Sequence, residues 1–575
     1  MKRLFLAWAW WLPALLSGQR AYHVSPTGND SNDGSASAPW QTLAYAAGQL
    51  NAGDTLWVHS GNYTGNVRIN ASGTPANPVV ISGFPGDTVT LHGNGLAPGL
   101  FLMKLEHVSH IHIRNIRFGP YQASDAKGIV IENARDISIR NCEFFDIDYA
   151  PDASGQIPSS NDNAQPLVIY GSDESTPTSN IEISYNLFHD NDTGYSEVVA
   201  LNGNVEGFKI EGNIIRDNAN IGIDLIGFEG VCPDESLDQA RNGTVKNNIL
   251  YNNRSPYDQC AGIYVDGGKN IIIENNISYL NNYGIEIGCE NGNATNTRSA
   301  KNIVIRNNLI YGNTDTGIKI GGYDYPDTGK TEQIYIYNNT LYNNDTENDY
   351  NGEMYLDYTE NTVIENNIFY ATNTEKVIFI SNASNPGLHL DYNLYYSPSG
   401  GQDLVIEING NEYNEFSTYR NATGLDTHSA FADPMFVSVS SASPDLHILS
   451  VSPAVDTGNP NYMPQPDETD IDGQTRIING RIDCGADEFD PSQSLKKFTN
   501  VDCCYPVPVT DKLFIKPEFA DYSIRITDLD GKIYLTKVKD KLYIDVQKLP
   551  PGIYILYLSK ADRHLFTRII KKGTD

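Results

Sequence analysis

The sequence predicts an all-β chain: a right-handed parallel β-helix followed by a small C-terminal β-sandwich. Three observations carry that reading. Four stretches share one strand design: GIDLIG from Gly222, AGIYVDGG from Ala261, YGIEIGCEN from Tyr283 and TGIKIGGYD from Thr316. Asn-Asn pairs recur at Asn247/Asn248, Asn275/Asn276, Asn307/Asn308, Asn338/Asn339 and Asn366/Asn367, at spacings of 28, 32, 31 and 28 residues. Strand-rich repeats of that length stack into a solenoid. Apolar residues alternate with period two, and Gly and Asn are too frequent for helical repeats.

In chain order, Lys2 and Arg3 precede an apolar run over residues 4–16 and the small residues Ser17 and Gly18. This is the layout of a secretory signal peptide, read over 1–21. The run is too short to span a bilayer and no later stretch reaches membrane length, so no transmembrane segment is expected. Residues 22–100 read as the N-terminal cap and first coils. A short helix beginning near Pro39, with Leu43, Ala46, Ala47 and Leu50 on one face, is expected to cover the open end of the stack.

Residues 101–490 read as the β-helix of about ten rungs, with 429–490 as its last rungs and closing cap. In each unit the asparagines suit bends that need a left-handed backbone, and stacked amides are expected to form a ladder. The period varies because inserts at 227–242, 288–301 and 321–333 leave the coil on one face, where inserts build binding walls. Residues 491–501 read as a linker. Residues 502–575 hold short alternating strands with an Asp530-Gly531 turn, a separate small sandwich.

The formal net charge of −31, from 71 acids and 40 bases, argues against a nucleic-acid partner, which wants a basic face. Seven cysteines suit an oxidising compartment. Cys232 and Cys260, in loops before neighbouring rungs, are expected to pair, and Cys142 to be a core residue. No CxxC pair or His/Cys cluster has zinc spacing, so no transition-metal site is expected.

Ile223, Ile263, Ile285 and Ile318 point inward with Leu225, Val265, Ile287 and Ile320. The residues between them, Asp224, Tyr264, Glu286 and Lys319, then form an outward column spaced by roughly 4.8 Å per rung. Asp266 lies one outward position further, diagonal to Glu286, and Glu290 follows in the next insert. Three acids, a tyrosine and a lysine on one β face exceed what a solvated surface requires, so the column is the candidate site. Tyr264, Asp266, Glu286, Glu290 and Lys319 are the candidate catalytic residues. Asp224, Tyr323 and Asp324 are the candidate substrate contacts. A lone carboxylate outside the column, such as Asp357, reads as surface.

Tyr505-Pro506, Asp530-Gly531-Lys532, Leu549-Pro550, Gly552-Ile553-Tyr554 and Arg568-Ile569-Ile570-Lys571 resemble the C-terminal sorting domain of the type IX secretion system. That resemblance implies recognition by the type IX machinery of a Gram-negative bacterium, then release or surface attachment. The opening YHVSPTGNDSNDGS and GDTLWVHSGNY resemble family 9 polysaccharide lyases, and GIKIGG around Lys319 is similar to the context of their base. This implies a lysine base and calcium, here held by Glu286 and Asp266. GIYVDGG also resembles family 120 glycoside hydrolases, which implies Asp266 as nucleophile with Glu290 or Glu286 as acid/base.

Three functions stay open. The first is β-elimination on a uronate-containing polysaccharide, with Lys319 as base, Tyr264 as proton donor and calcium offsetting the carboxylate. The second is metal-independent hydrolysis by Asp266 with Glu290 or Glu286, Lys319 holding one acid ionised. The third is glycan binding without catalysis.

Overall fold

A parallel strand cannot satisfy its backbone alone, so each turn of such a chain depends on the turns above and below it. A computed structural model describes residues 20–150, 162–322, 324–348, 351–372, 376–381, 385–398, 405–439 and 444–491. In the C-terminal region it describes 504–505, 509, 512–516, 523–528, 533–537, 543–550, 552–560 and 563–571. The signal-peptide stretch 1–19, Tyr323, residues 492–500 and the Asp530-Gly531 turn lie outside the described residues. The chain forms two units, 1–489 and 490–575.

Unit one is a three-sided coil. Among the described residues its faces are sheets of 14, 13 and 13 strands. They run from Ala21–Val24 to His389–Asp391, from Val67–Ile69 to Ile406–Ile408 with antiparallel Asn411–Tyr413 at its end, and from Gly61–Thr64 to Ala430–Phe431. The stack exceeds ten rungs because coiling starts well before Phe101. The inner column Ile223, Ile263, Ile285, Ile318 is in register and fully buried.

Asparagine sets the bends. Asn247, Asn275, Asn307, Asn338 and Asn366 have φ of 56°, 55°, 58°, 56° and 61°, in the left-handed region that Asn tolerates. The next residue of each pair turns inward and stacks. Asn248 Nδ2 donates to Asn276 Oδ1 at 3.0 Å, Asn276 to Asn308 at 3.0 Å, Asn308 to Asn339 at 2.9 Å and Asn339 to Asn367 at 3.0 Å. Each amide also binds backbone: Asn308 Nδ2 donates to Ile273 O, and Asn308 Oδ1 accepts from Asn276 N.

Three expectations are corrected. The helix is Leu43–Ala47, capped by Thr42, because Trp40 stays extended, its N–H on His23 O and its Nε1 on Asn32 O. Cys232 and Cys260 do not pair; each is a buried free thiol, as are Cys142, Cys289 and Cys484. Among the described residues, no rung follows Phe431. The chain makes the antiparallel hairpin Phe436–Ser438/Asp445–Ile448 and then runs back along the coil. This strap reads the column of left-handed asparagines. Asn459 N donates to Asn366 Oδ1, Asn307 and Asn338 donate to Glu468, and Asn275 donates to Thr469 O. Glu468 also accepts from Arg306 Nη1 at 2.8 Å and from Tyr462. Asn275–Asn366 therefore serve twice, bending the chain and anchoring the strap.

Unit two contains the sheets Cys504–Tyr505/Lys512–Ile515/Tyr543–Asp545 and Ile533–Lys537/Ser523–Asp528/Gly552–Lys560/Arg563–Lys571, antiparallel throughout. Leu513, Ile526, Ile544, Leu556 and Ile569 form its core.

Candidate functional site

Register assembles the column. Asp224 pairs with Tyr264, Tyr264 with Glu286, Glu286 with Lys319, and Lys319 with Tyr355. Upstream, Asp224 pairs with Ala200. Outward orientation does not mean exposure here: Asp224, Tyr264, Asp266 and Glu286 are 3%, 5%, 3% and 9% exposed. The inserts enclose them. Arg298 of the second insert binds Glu235 of the first and covers Phe228, and Gly329 N of the third donates to Cys289 O of the second. Glu290, at the start of the second insert, is exposed at the cleft rim.

Two polar systems share the cleft. In one, Lys319 Nζ lies 2.8 Å from Glu286 Oε1 and 4.5 Å from the Tyr283 ring centroid. The other is a set of carboxyls. Asp266 Oδ1 accepts from Glu290 N at 2.6 Å, and Tyr264 Oη donates to Glu290 Oε1 at 3.4 Å. Burial, then Glu197, Asp266, Glu290 and Glu229, push the Asp224 carboxyl well above its ordinary range. Burial and Glu290 do the same to Asp266; at Glu290, exposed as a residue but with its carboxyl partly desolvated against the inserts, that desolvation followed by Glu286 and Glu229 raises the carboxyl. Like charges crowded in a dry cleft cannot all ionise. Burial and the nearby acids also raise the Tyr264 phenol, so it remains a donor.

Two members were missed by sequence reasoning. Glu197 precedes strand Val199–Gly203, one rung above Asp224, and burial with Glu229 pushes it to about 7. Glu229 lies in the first insert and accepts from Asn202 Nδ2 at 2.6 Å. Asn202 was legible, since VALNG continues the outward positions one rung earlier; the two glutamates sit in irregular backbone with no periodic signal.

Other candidates fall elsewhere. Asp324 is exposed on the third insert, its carbonyl closing a turn with Asp327 and Thr328; Tyr323 lies outside the described residues. Asp357 is buried, not a surface acid: Ser381 and Tyr355 donate to it from the same face.

The pair Glu286 and Asp266 fits calcium poorly. Glu286 is engaged by Lys319 and Asp266 by the Glu290 N–H, whereas calcium takes six to eight oxygens. Among the described residues, the three-ligand group within 4.8 Å is His447, Asp472 and Asp487, on the hairpin and strap rather than in the cleft.

Residues 22–162 match the family described as Pel9A-like, right handed beta helix region, and 236–417 match the right handed beta helix region. The uncharacterized protein YwoF of Bacillus subtilis is 35% identical over 440 residues, 73% of this chain and 89% of that protein. The chain belongs to the YwoF family of right-handed β-helix proteins. Pectate lyase PEL9 of Emericella nidulans is 37% identical over 89 residues, 15% of this chain and 21% of the lyase. Among solved structures, pectate lyase Pel9A aligns over 82% of this chain and 97% of its own, at 14% identity and a TM-score of 0.38. Residues 503–572 match the secretion system C-terminal sorting domain, so this family member carries a sorting domain behind its coil. No helix among the described residues is long and apolar enough to cross a membrane.

Proposed function

We propose that this chain is an exported enzyme that cleaves glycosidic linkages of a polysaccharide by general acid–base chemistry, with hydrolysis as the best-supported reaction. One observation carries the reading: Glu286 is paired with Lys319 at 2.8 Å, next to carboxyls of Asp266 and Glu290 that burial and crowding push above their ordinary range. A glycosidase needs that asymmetry, one group protonating the leaving oxygen and one ionised partner. Glu290, at the rim where a glycan chain can reach, is the proton donor. Glu286, paired with Lys319, is the carboxylate that acts as base or nucleophile. Asp266 positions Glu290 through the backbone N–H.

Elimination is the second reading, favoured by Lys319, the cation that the register places beside Glu286. It requires Lys319 to leave Glu286 and lose its proton, and it requires an offset for the substrate carboxylate. Digestion of a broad polysaccharide panel separates the two: new reducing ends without ultraviolet absorbance support hydrolysis, whereas an absorbing unsaturated uronate supports elimination. Neither product across the panel contradicts both.

The sorting domain supports export by the type IX system of a Gram-negative bacterium, with release or surface attachment. Deleting 490–575 should hold the protein inside the cell envelope; unchanged export would contradict that route.

A further inference from the structure

This inference rests on the glycan-cleaving reading and concerns which glycan the cleft accepts. The N-terminal half of the cleft is rich in acceptors. Glu197, Asn202, Asp224, Glu229, Asp266 and Glu290 line it, and the cleft lysine is already bound to Glu286. Two buried oxygens there lack a donor: Asp224 Oδ1, on a residue 3% exposed, and Asn202 Oδ1, on a residue 6% exposed. They belong to neighbouring paired strands and share the outward face, since Ala200 pairs with Asp224 and Asn202 with Ile226. The Asn202 amide is oriented by its Nδ2 bond to Glu229, which leaves the oxygen as the unused end. Buried polar atoms are normally satisfied, and the Asn202 oxygen can only accept, so its missing partner is a hydrogen-bond donor.

We infer that the cleft takes a cationic glycan, one whose sugar carries a free amine, and that its ammonium seats against Asp224 with Asn202 and Glu229 beside it. An ammonium offers three donors and no acceptor, which is the complement of this surface. It also supplies the positive charge that the clustered acids lack. A uronate would add a like charge, and an N-acetyl group would bring one donor, no charge and an additional acceptor. The carboxyls that hold protons in the free cleft would surrender them to an arriving cation, so binding should release protons.

The test is titration calorimetry on the full chain with three oligosaccharides of matched length: a glucosamine oligomer, its N-acetylated counterpart and an oligogalacturonate. Each is measured in two buffers of different ionisation heat. The expected result is that the glucosamine oligomer binds at least about tenfold tighter than the other two, an effect of more than ~1.4 kcal/mol. It should release protons on binding, and Asp224→Asn should remove the preference. If that variant fails to fold, the salt dependence of wild-type binding substitutes: affinity for the cationic oligomer alone should fall as salt rises. Equal binding of the amine and acetylated oligomers, tighter binding of the galacturonate, or no binding by any of the three overturns the inference. The cleavage reading is judged separately by Glu290→Gln on the substrate found in the panel, so the two can fail independently.

Discussion

The asparagine ladder and the carboxyl cleft are both columns of buried polar side chains, each built by stacking one residue position over successive rungs. They differ in chemistry. An amide carries donor and acceptor, so Asn248, Asn276, Asn308, Asn339 and Asn367 each give to the next rung and receive from the previous one. A carboxylate carries acceptors alone, so stacking acids around Asp224 and Asp266 produces repulsion that burial intensifies. The first column strengthens with length. The second persists only because the rest of the coil supports it, which marks it as a site rather than scaffold.

That contrast can be broken from either side. The largest expected effect is on turnover: Glu290→Gln removes the proposed proton donor and should lower it by roughly a hundred- to ten-thousandfold without loss of melting temperature. Steady-state rates with a parallel thermal melt check this. In the ladder the consequence should be reversed. Asn308→Leu strands the carbonyls of Ile273 and Arg306 and the amide of Asn276, each worth about 1–3 kcal/mol. A net loss of roughly 4 kcal/mol is expected from urea unfolding, with the surviving folded fraction still active. A smaller loss, about 2 kcal/mol, is expected for Glu468→Gln, which weakens the strap's hold on Arg306 while Glu274 remains paired to it at 2.7 Å. Hydrogen exchange should then show the strap opening before the coil.

How far the sequence discloses each column follows from its periodicity. The ladder is explicit in the Asn-Asn pairs, because the same amide must recur wherever the backbone bends. The register of Asp224, Tyr264, Glu286 and Lys319 is equally legible, since period-two alternation around isoleucines fixes which side chains face out. Their burial is not, because it depends on how the 227–242, 288–301 and 321–333 inserts fold over them. Glu229 was invisible for the same reason, and Glu197 sits just before its strand, where no alternation marks it. The return strap was read as further rungs: its short apolar stretches resemble strands, and nothing local reveals that Glu468 binds Arg306 far upstream.

The cleft acids are held against folding stability, and Asp224→Asn tests this without any substrate. Folding raises the Asp224 carboxyl above its ordinary 3.8, so the native state keeps a proton that the unfolded chain releases. Below about pH 4 both states are protonated and the residue is neutral to stability; as pH rises the unfolded chain is favoured by about 1.4 kcal/mol per unit, up to the raised value. Asparagine, nearly isosteric and uncharged, escapes that penalty. Urea unfolding of wild type and variant at pH 4 and pH 8 should therefore give similar stabilities at pH 4 and a variant more stable by at least ~1 kcal/mol at pH 8. A variant less stable than wild type at both pH values, as expected for a ladder asparagine, would contradict the account.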